Sequence, residues 1–349
     1  MTSADAQPGI GLIGCGVISE CLLGGASLAG IRVSAVCDSD RERAGRAAAA
    51  CGARAVSEAG GIFGDSAIEA VIIALPNDAH YSAAMEALAA GKHVFCEKPL
   101  TTSAADSLAL ARKARETGRV FQMGYMKRFN PAFAAVKARL EQIAPLTTAS
   151  LRLTVSGDPK LEGGPGTPGS WHSDIQRSGG GFLVHSGSHL LDLMMFYFGR
   201  PEAVWGSLKR DVNGNEYSNS FLFRFEGGLQ VALQMAQTRA QGLGYAGSVW
   251  EEIVEVNGVN GRLTARGADW MGKIPARASA HLADGDGPKD LFTYWESQWA
   301  EELKAFVEGV RQGRCLGSTV EDGYRVDYIL DQLKRLEAEA GPVRLEYAL

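Results

Sequence analysis

Through the first third of the chain, short apolar runs rich in Val and Ile alternate with longer, alanine-rich stretches. Ile10–Ile13, Val33–Cys37, Ala70–Leu75 and His93–Cys96 have the length and composition of buried strands. Arg41–Ala50 and His80–Ala90 have helical spacing, and Gly91 supplies a stop signal just past the second. Strands separated by helices of this length predict parallel βαβ units, with both faces of the sheet covered.

Near residue 125 the pattern changes. Leu151–Val155, Val204–Leu208, Ser220–Phe225 and Leu229–Met235 are predicted strands, the last two flanking Glu226-Gly227-Gly228. Glu252–Val256 and Gly261–Ala265 flank a segment holding Asn257-Gly258 and Asn260-Gly261. Such turns favour hairpins, so a large, open, mainly antiparallel sheet is expected here. Gly157–Gly169 is rich in Gly and Pro and reads as a long loop of the kind that is often functional. Helices over Tyr294–Gly309 and Val320–Ala338 are predicted to close the chain. The expected fold class is α/β. A dinucleotide-binding domain takes 1–124, and a second α/β domain for substrate binding and oligomerisation takes 125–349.

Bulk properties narrow the partners. With 46% hydrophobic and 21% charged residues the chain is ordinary for a packed protein. A net charge of −5 disfavours nucleic acid or an anionic membrane, both of which reward clustered positive charge. No run approaches the roughly 18 apolar residues that span a bilayer. Met1–Pro8 lacks the basic and apolar regions of a secretory signal, so a cytoplasmic location is the expectation. Six scattered cysteines include no Cys-x-x-Cys pair, which suits reduced, mostly buried thiols.

The strand Ile10–Ile13 runs directly into Gly14-Cys15-Gly16-Val17-Ile18-Ser19, a dinucleotide fingerprint with Ser in place of the third Gly. Gly14 permits the tight turn, and Gly16 lets a pyrophosphate approach the N-terminus of the following helix. Asp38 stands at the end of the second strand, followed by Ser39. A carboxylate there binds ribose hydroxyls and repels a 2′-phosphate, favouring NAD over NADP. The alternative for Asp38 is an N-cap of the next helix, and Arg41 and Arg43 leave some NADP tolerance open.

Several segments resemble one family. Leu75-Pro76-Asn77-Asp78-Ala79-His80 and Gly91-Lys92-His93-Val94-Phe95-Cys96-Glu97-Lys98-Pro99 are similar to the glucose–fructose oxidoreductase / inositol dehydrogenase / MocA family. So are Gly124-Tyr125-Met126-Lys127-Arg128-Phe129-Asn130-Pro131, Gly179-Gly180-Gly181 and His189-Leu190-Leu191-Asp192. The resemblance implies a Rossmann domain joined to an α/β domain whose open sheet carries the substrate pocket. It implies that Leu75, Pro76, Asn77 and His80 lie near the cofactor, that Glu97-Lys98-Pro99 sits beside the nicotinamide with a cis Lys-Pro bond, and that copies pair as dimers or tetramers through the exposed sheet face.

Oxidising a secondary alcohol needs a base for the hydroxyl proton and a positive group near the developing oxyanion. His189 is the expected base, because imidazole titrates near neutrality, and Lys98 the expected cation. The family commonly has Asp four residues before the catalytic His; this chain has His185-Ser186-Gly187-Ser188-His189. Without that negative charge the site is less hospitable to cations. The activity then calls for higher pH or an acidic substrate, or is lost. His185 is therefore both a catalytic and a substrate-binding candidate.

Trp171, His172 and Asp174 follow the Gly/Pro loop; an indole face suits sugar C–H surfaces, and the alternative is a core Trp with solvated neighbours. Tyr125 and Arg128 are further substrate candidates, Arg128 equally an interdomain ion pair. Asp192 can orient the His189 ring or cap backbone, and Met194–Phe198 reads as helix core. His185 and His189 have no third metal ligand in view other than His172, so no metal is expected. The leading expectation is an NAD(P)-dependent dehydrogenase or ketoreductase acting on a cyclitol or sugar. The alternatives are an NAD-dependent, redox-neutral glycoside hydrolase or lyase, and a non-catalytic NAD-binding regulator.

Overall fold

A computed structural model describes residues 7–156, 171–211, 214, 216–245, 247–271, 273–285, 287–291, 297–336 and 341–349. The expected loop over 157–169 and parts of both expected closing helices lie outside them. In chain order the elements begin with β1 (Ile10–Ile13), α1 (Val17–Leu28), β2 (Val33–Cys37), α2 (Arg41–Cys51), β3 (Arg54–Val56), α3 (Gly60–Phe63), β4 (Ala70–Ile73), α4 (His80–Ala89), β5 (His93–Glu97), α5 (Ala104–Thr117) and β6 (Phe121–Gly124). Then come α6 (Pro131–Lys137), β7 (Leu146–Ser156), α7 (Ile175–Ser178), a π-turn (Leu183–Gly187) and α8 (Ser188–Phe198). They are followed by β8 (Ala203–Arg210), β9 (Glu216–Arg224), β10 (Gln230–Thr238), β11 (Trp250–Gly258), β12 (Gly261–Gly267), β13 (Arg277–Leu282) and β14 (Lys289–Asp290). The chain closes with α9 (Gln298–Gln312), β15 (Ser318–Thr319), α10 (Val320–Lys334) and β16 (Val343–Arg344).

Two compact units result. The first takes the described residues up to Met126 together with Ser297–Asp327 and Leu349; the second takes Lys127–Glu296 and Tyr328–Ala348. The division thus differs from a single cut at 124/125, because α9 returns to the first unit. Close packing explains it: a Cβ on Gly25 of α1 would stand 2.7 Å from the Cβ of Trp299 in α9.

In the first unit the strand order is β15-β6-β5-β4-β1-β2-β3, parallel except for the β15 edge. β1 lies between β4 and β2, so the order reverses there, which opens a crevice at the carboxyl ends of the strands. Ile10, Leu12, Val71 and Ile72 are almost wholly buried, as strands covered on both faces require.

The second unit carries nine strands in the order β14-β13-β12-β11-β7-β10-β9-β8-β16. Every pairing is antiparallel except β7 with β10, so the sheet is mixed. Leu151, Leu153, Phe221, Phe223, Leu233 and Val254 are buried on one face, while Arg152, Arg224 and Gln234 between them are exposed. Helix α8 is buried along most of its length, and Met194, Met195 and Tyr197 are core residues, as the sequence indicates. Among the described residues no helix is long and apolar enough to cross a membrane.

Candidate active site

The glycine turn after β1 lies in the first unit. Gly14 has φ +94°, and a Cβ there would stand 2.3 Å from the Ala74 carbonyl oxygen, so only glycine fits the turn. Gly16 is the N-cap of α1; no side chain caps the helix, and a Cβ on Gly16 would meet nothing within 4 Å. The helix start is therefore open to an anionic group. Ser19 is buried and its Oγ donates to the Gly16 carbonyl at 2.5 Å, so a small hydroxyl replaces the third glycine without opening the turn. Val17 and Ile18 form the first turn, Val17 fully on the surface.

Asp38 accepts from the Cys15 N–H at 2.7 Å and from the Asp40 N–H at 2.8 Å. The cap of α2 is Asp40, which accepts from Glu42 and Arg43, so Asp38 is held beside the glycine turn instead. Ser39 beside it is exposed. These residues fit a dinucleotide with free ribose hydroxyls. Asp38→Ala is expected to shift the ratio of kcat/KM for NAD over NADP toward NADP by about tenfold or more; an unchanged ratio would remove Asp38 from cofactor selection. Six free cysteines are present, and burial with the Asp38 charge pushes the Cys15 thiol up to about 12, which leaves it unreactive.

Downstream the same crevice gathers Leu75, Pro76 and Asn77, followed by Glu97 and Lys98 at the end of β5. The Lys98–Pro99 peptide is cis. His80 is fully buried, with Nδ1 2.7 Å from the Pro99 carbonyl and Nε2 2.9 Å from the Leu75 carbonyl. It ties the Leu75 turn to the Glu97-Lys98-Pro99 turn.

Glu97 is buried; one carboxylate oxygen accepts from the Lys98 N–H at 3.2 Å and the other has no hydrogen-bond partner. Burial raises its pKa to about 7 against the opposing pull of the Lys98 charge. A raised carboxyl pKa costs stability as pH climbs from the ordinary 4.5 to the folded value, and the cost is constant above it. Glu97→Gln is therefore expected to stabilise the protein little below about pH 4.5 and on the order of 3 kcal/mol above about pH 7. Denaturant unfolding of both proteins across that range checks this, and a pH-independent difference counts against it.

The second unit builds a histidine-bearing wall. Gly179 closes α7 with φ +78°, and a Cβ on Gly180 would stand 2.5 Å from Val184. The Gly181 N–H donates to Glu216 at 2.6 Å. The triple glycine thus lets the chain turn tightly into the π-turn that carries His185. Such a turn shifts the face on which a following helix presents its side chains, and is common at functional sites. The His172 ring stacks on Trp171 at 3.8 Å, and His185 lies 5.2 Å from His172 and 5.9 Å from Trp171. His185 and His189 are buried. Among the described residues no three potential ligands are arranged to hold a metal ion.

Three of the expected substrate residues have structural engagements of their own. Asp174 caps α7, its Oδ1 accepting from the Gln176 N–H at 3.0 Å. Tyr125 is 0% exposed and presents no surface to a ligand. The Arg128 guanidinium is held by Asp192 through two hydrogen bonds, 2.8 Å from Nε and 2.6 Å from the terminal nitrogen, with Asp192 fully buried. This pair anchors α8, the helix that carries His189. Beside it, Lys127 forms a buried ion pair with Glu252. The sequence reading missed Asn219 of β9, which is 5% exposed and has no hydrogen-bond partner at either amide atom.

A glycine turn at the switch point of a parallel sheet, followed by a second unit with a large mixed sheet, defines a two-unit chain whose first unit has a dinucleotide-binding architecture. Residues 9–125 match the model of the Gfo/Idh/MocA oxidoreductase family with its NAD-binding Rossmann fold, and residues 145–264 match that family's C-terminal domain. The chain belongs to this family and is an NAD(P)-dependent oxidoreductase. It is 26% identical to inositol 2-dehydrogenase 1 of Saccharopolyspora erythraea, over 97% of this chain and 96% of that one. It is 27% identical to the NAD(+)-dependent scyllo-inositol 2-dehydrogenase of Bacillus subtilis (strain 168), over 72% of this chain and 70% of that one. Among solved structures it is similar in fold to a levoglucosan dehydrogenase in complex with NADH, with a TM-score of 0.86 at 20% identity, covering 97% of this chain and 99% of that one.

Proposed function

We propose that the protein transfers a hydride between NAD and a secondary alcohol or ketone of a cyclitol or sugar, inositol-like compounds first. The observation that carries this reading is the nucleotide turn, in which Gly14, the uncapped start of α1 and Asp38 together suit NAD. The substrate class rests on the relatives, named for inositol and levoglucosan. Bound at this turn, NAD supplies the hydride acceptor. His189 takes the hydroxyl proton during oxidation and returns it during reduction. Lys98 donates to the substrate oxygen and steadies the charge that develops there. Arg128 and Asp192 hold α8 so that His189 keeps its place.

The test is NADH absorbance with NAD and a panel of inositols, hexoses, amino sugars and sugar acids, from neutral to alkaline pH. Stoichiometric NADH from one compound supports the reading; tight NAD binding with no NADH from any compound counts against it. We further propose a dimer or tetramer paired through the outer face of the second sheet, where Trp205, Leu222 and Ala232 stand side by side in register. Light scattering that returns a monomer mass would contradict it.

A further inference from the structure

Two backbone carbonyls face one buried imidazole. His80 opens α4 and is 0% exposed, with the Pro99 oxygen 2.7 Å from Nδ1 and the Leu75 oxygen 2.9 Å from Nε2. Carbonyl oxygens only accept, and a neutral imidazole carries a single N–H. Burial lowers the pKa of the ring; the Lys98 charge adds to this, while the two carbonyls and Asp78 oppose it. The ring is therefore neutral at neutral pH, and one proton serves two acceptors.

The two carbonyls belong to different turns of the first unit. Pro99 directly follows Lys98, and two residues further on the Thr101 N–H donates to Asp327 of α10 at 2.9 Å. Leu100 between them is fully buried. The turn that carries Lys98 is thus fixed at its far end by Asp327, and His80 acts on it at the Pro99 carbonyl. Leu75, by contrast, belongs to the wall of the glycine turn. A Cβ on Gly14 would stand 2.3 Å from the Ala74 oxygen and 3.0 Å from the Leu75 nitrogen. A shift of the Leu75 peptide therefore presses directly on the place where the glycine turn is tightest.

We infer that His80 is a positioning residue that shares one proton between these turns. Donated to Pro99, the proton holds the backbone beside Lys98; donated to Leu75, it holds the wall of the glycine turn. The inference rests on the dehydrogenase reading, in which Lys98 steadies the substrate oxygen and the glycine turn takes NAD. It adds a residue that serves both parts without touching either ligand.

Two variants separate the two donations. His80→Asn keeps an amide nitrogen near the place of Nδ1, and His80→Gln keeps one near the place of Nε2. NADH affinity, from its fluorescence, reports on the glycine turn. The rate at which trinitrobenzenesulfonate labels Lys98, read by peptide mass spectrometry, reports on the other turn. Losing one hydrogen bond should weaken NADH binding about fivefold in His80→Asn and speed Lys98 labelling about fivefold in His80→Gln, each variant leaving the other readout near native. Absence of this crossed pattern, as when both variants move both readouts alike, would overturn the inference. The native protein, with ¹⁵N-labelled histidine, supplies a test that needs no variant. Both ring nitrogens of His80 should resonate between the protonated and bare positions, and a ring fixed as one tautomer would overturn the inference. None of these readouts needs turnover, so their failure leaves the dehydrogenase reading standing, and a polyol panel that yields no NADH sinks that reading alone.

Discussion

His189→Ala and Lys98→Ala are each expected to lower kcat by about a hundred- to ten-thousand-fold, with NAD affinity changed by no more than a few-fold. The two losses have different origins. In the proposed mechanism, removing His189 takes away the group that accepts the hydroxyl proton, so added imidazole should restore part of the rate. In the same proposal, removing Lys98 takes away a fixed charge beside the developing oxyanion, which a small base does not replace. The double variant should be little slower than the slower single one, because the groups act on one transition state. Steady-state kinetics with the substrate found in the panel assay checks this. Either variant retaining half of the native kcat would remove that residue from the chemistry.

Arg128→Met is expected to destabilise the protein by about 3–5 kcal/mol, because it removes the guanidinium that pairs with a buried carboxylate. Asp192 is fully buried and both of its oxygens accept from Arg128. Replacing both partners, as Arg128→Met with Asp192→Leu, removes charge and counter-charge together and should recover most of the loss. The pair has a second role that stability does not report. If it fixes α8, the double variant folds but has a lower kcat, with KM moved less. Chemical denaturation measures the first effect and kinetics the second. A single variant that loses less than about 1 kcal/mol would show that the pair is not a buried anchor.

The elements of the nucleotide-binding domain were readable in the sequence because their determinants are local. β1 and β2 fall where the apolar runs end, and Gly14, Gly16 and Asp38 lie at strand-to-helix junctions that periodicity locates. Even the competing role for Asp38 was resolved locally, since the cap lies two residues on, at Asp40. The second half depends on contacts distant in sequence. Asn-Gly turns indicate hairpins, and nothing local reports that β7 also pairs in parallel with β10 across some eighty residues. For Arg128 the sequence leaves a substrate contact and an ion pair equally open, because its partner Asp192 is 64 residues away. His185 was visible as a candidate, but the π-turn that carries it depends on the triple glycine packing against Val184 and Glu216. Asn219 was legible in principle. It shares the alternation of Phe221 and Phe223, and beginning the strand at Ser220 hid it.

Hydride transfer itself is tested most directly by placing deuterium on the carbinol carbon of the substrate and examining the nicotinamide formed. The account predicts that the deuterium appears on the reduced nicotinamide ring in stoichiometric yield, and that it does not with His189→Ala over the same time. Recovery of unlabelled cofactor, with the deuterium still in the product or lost to water, would contradict the account.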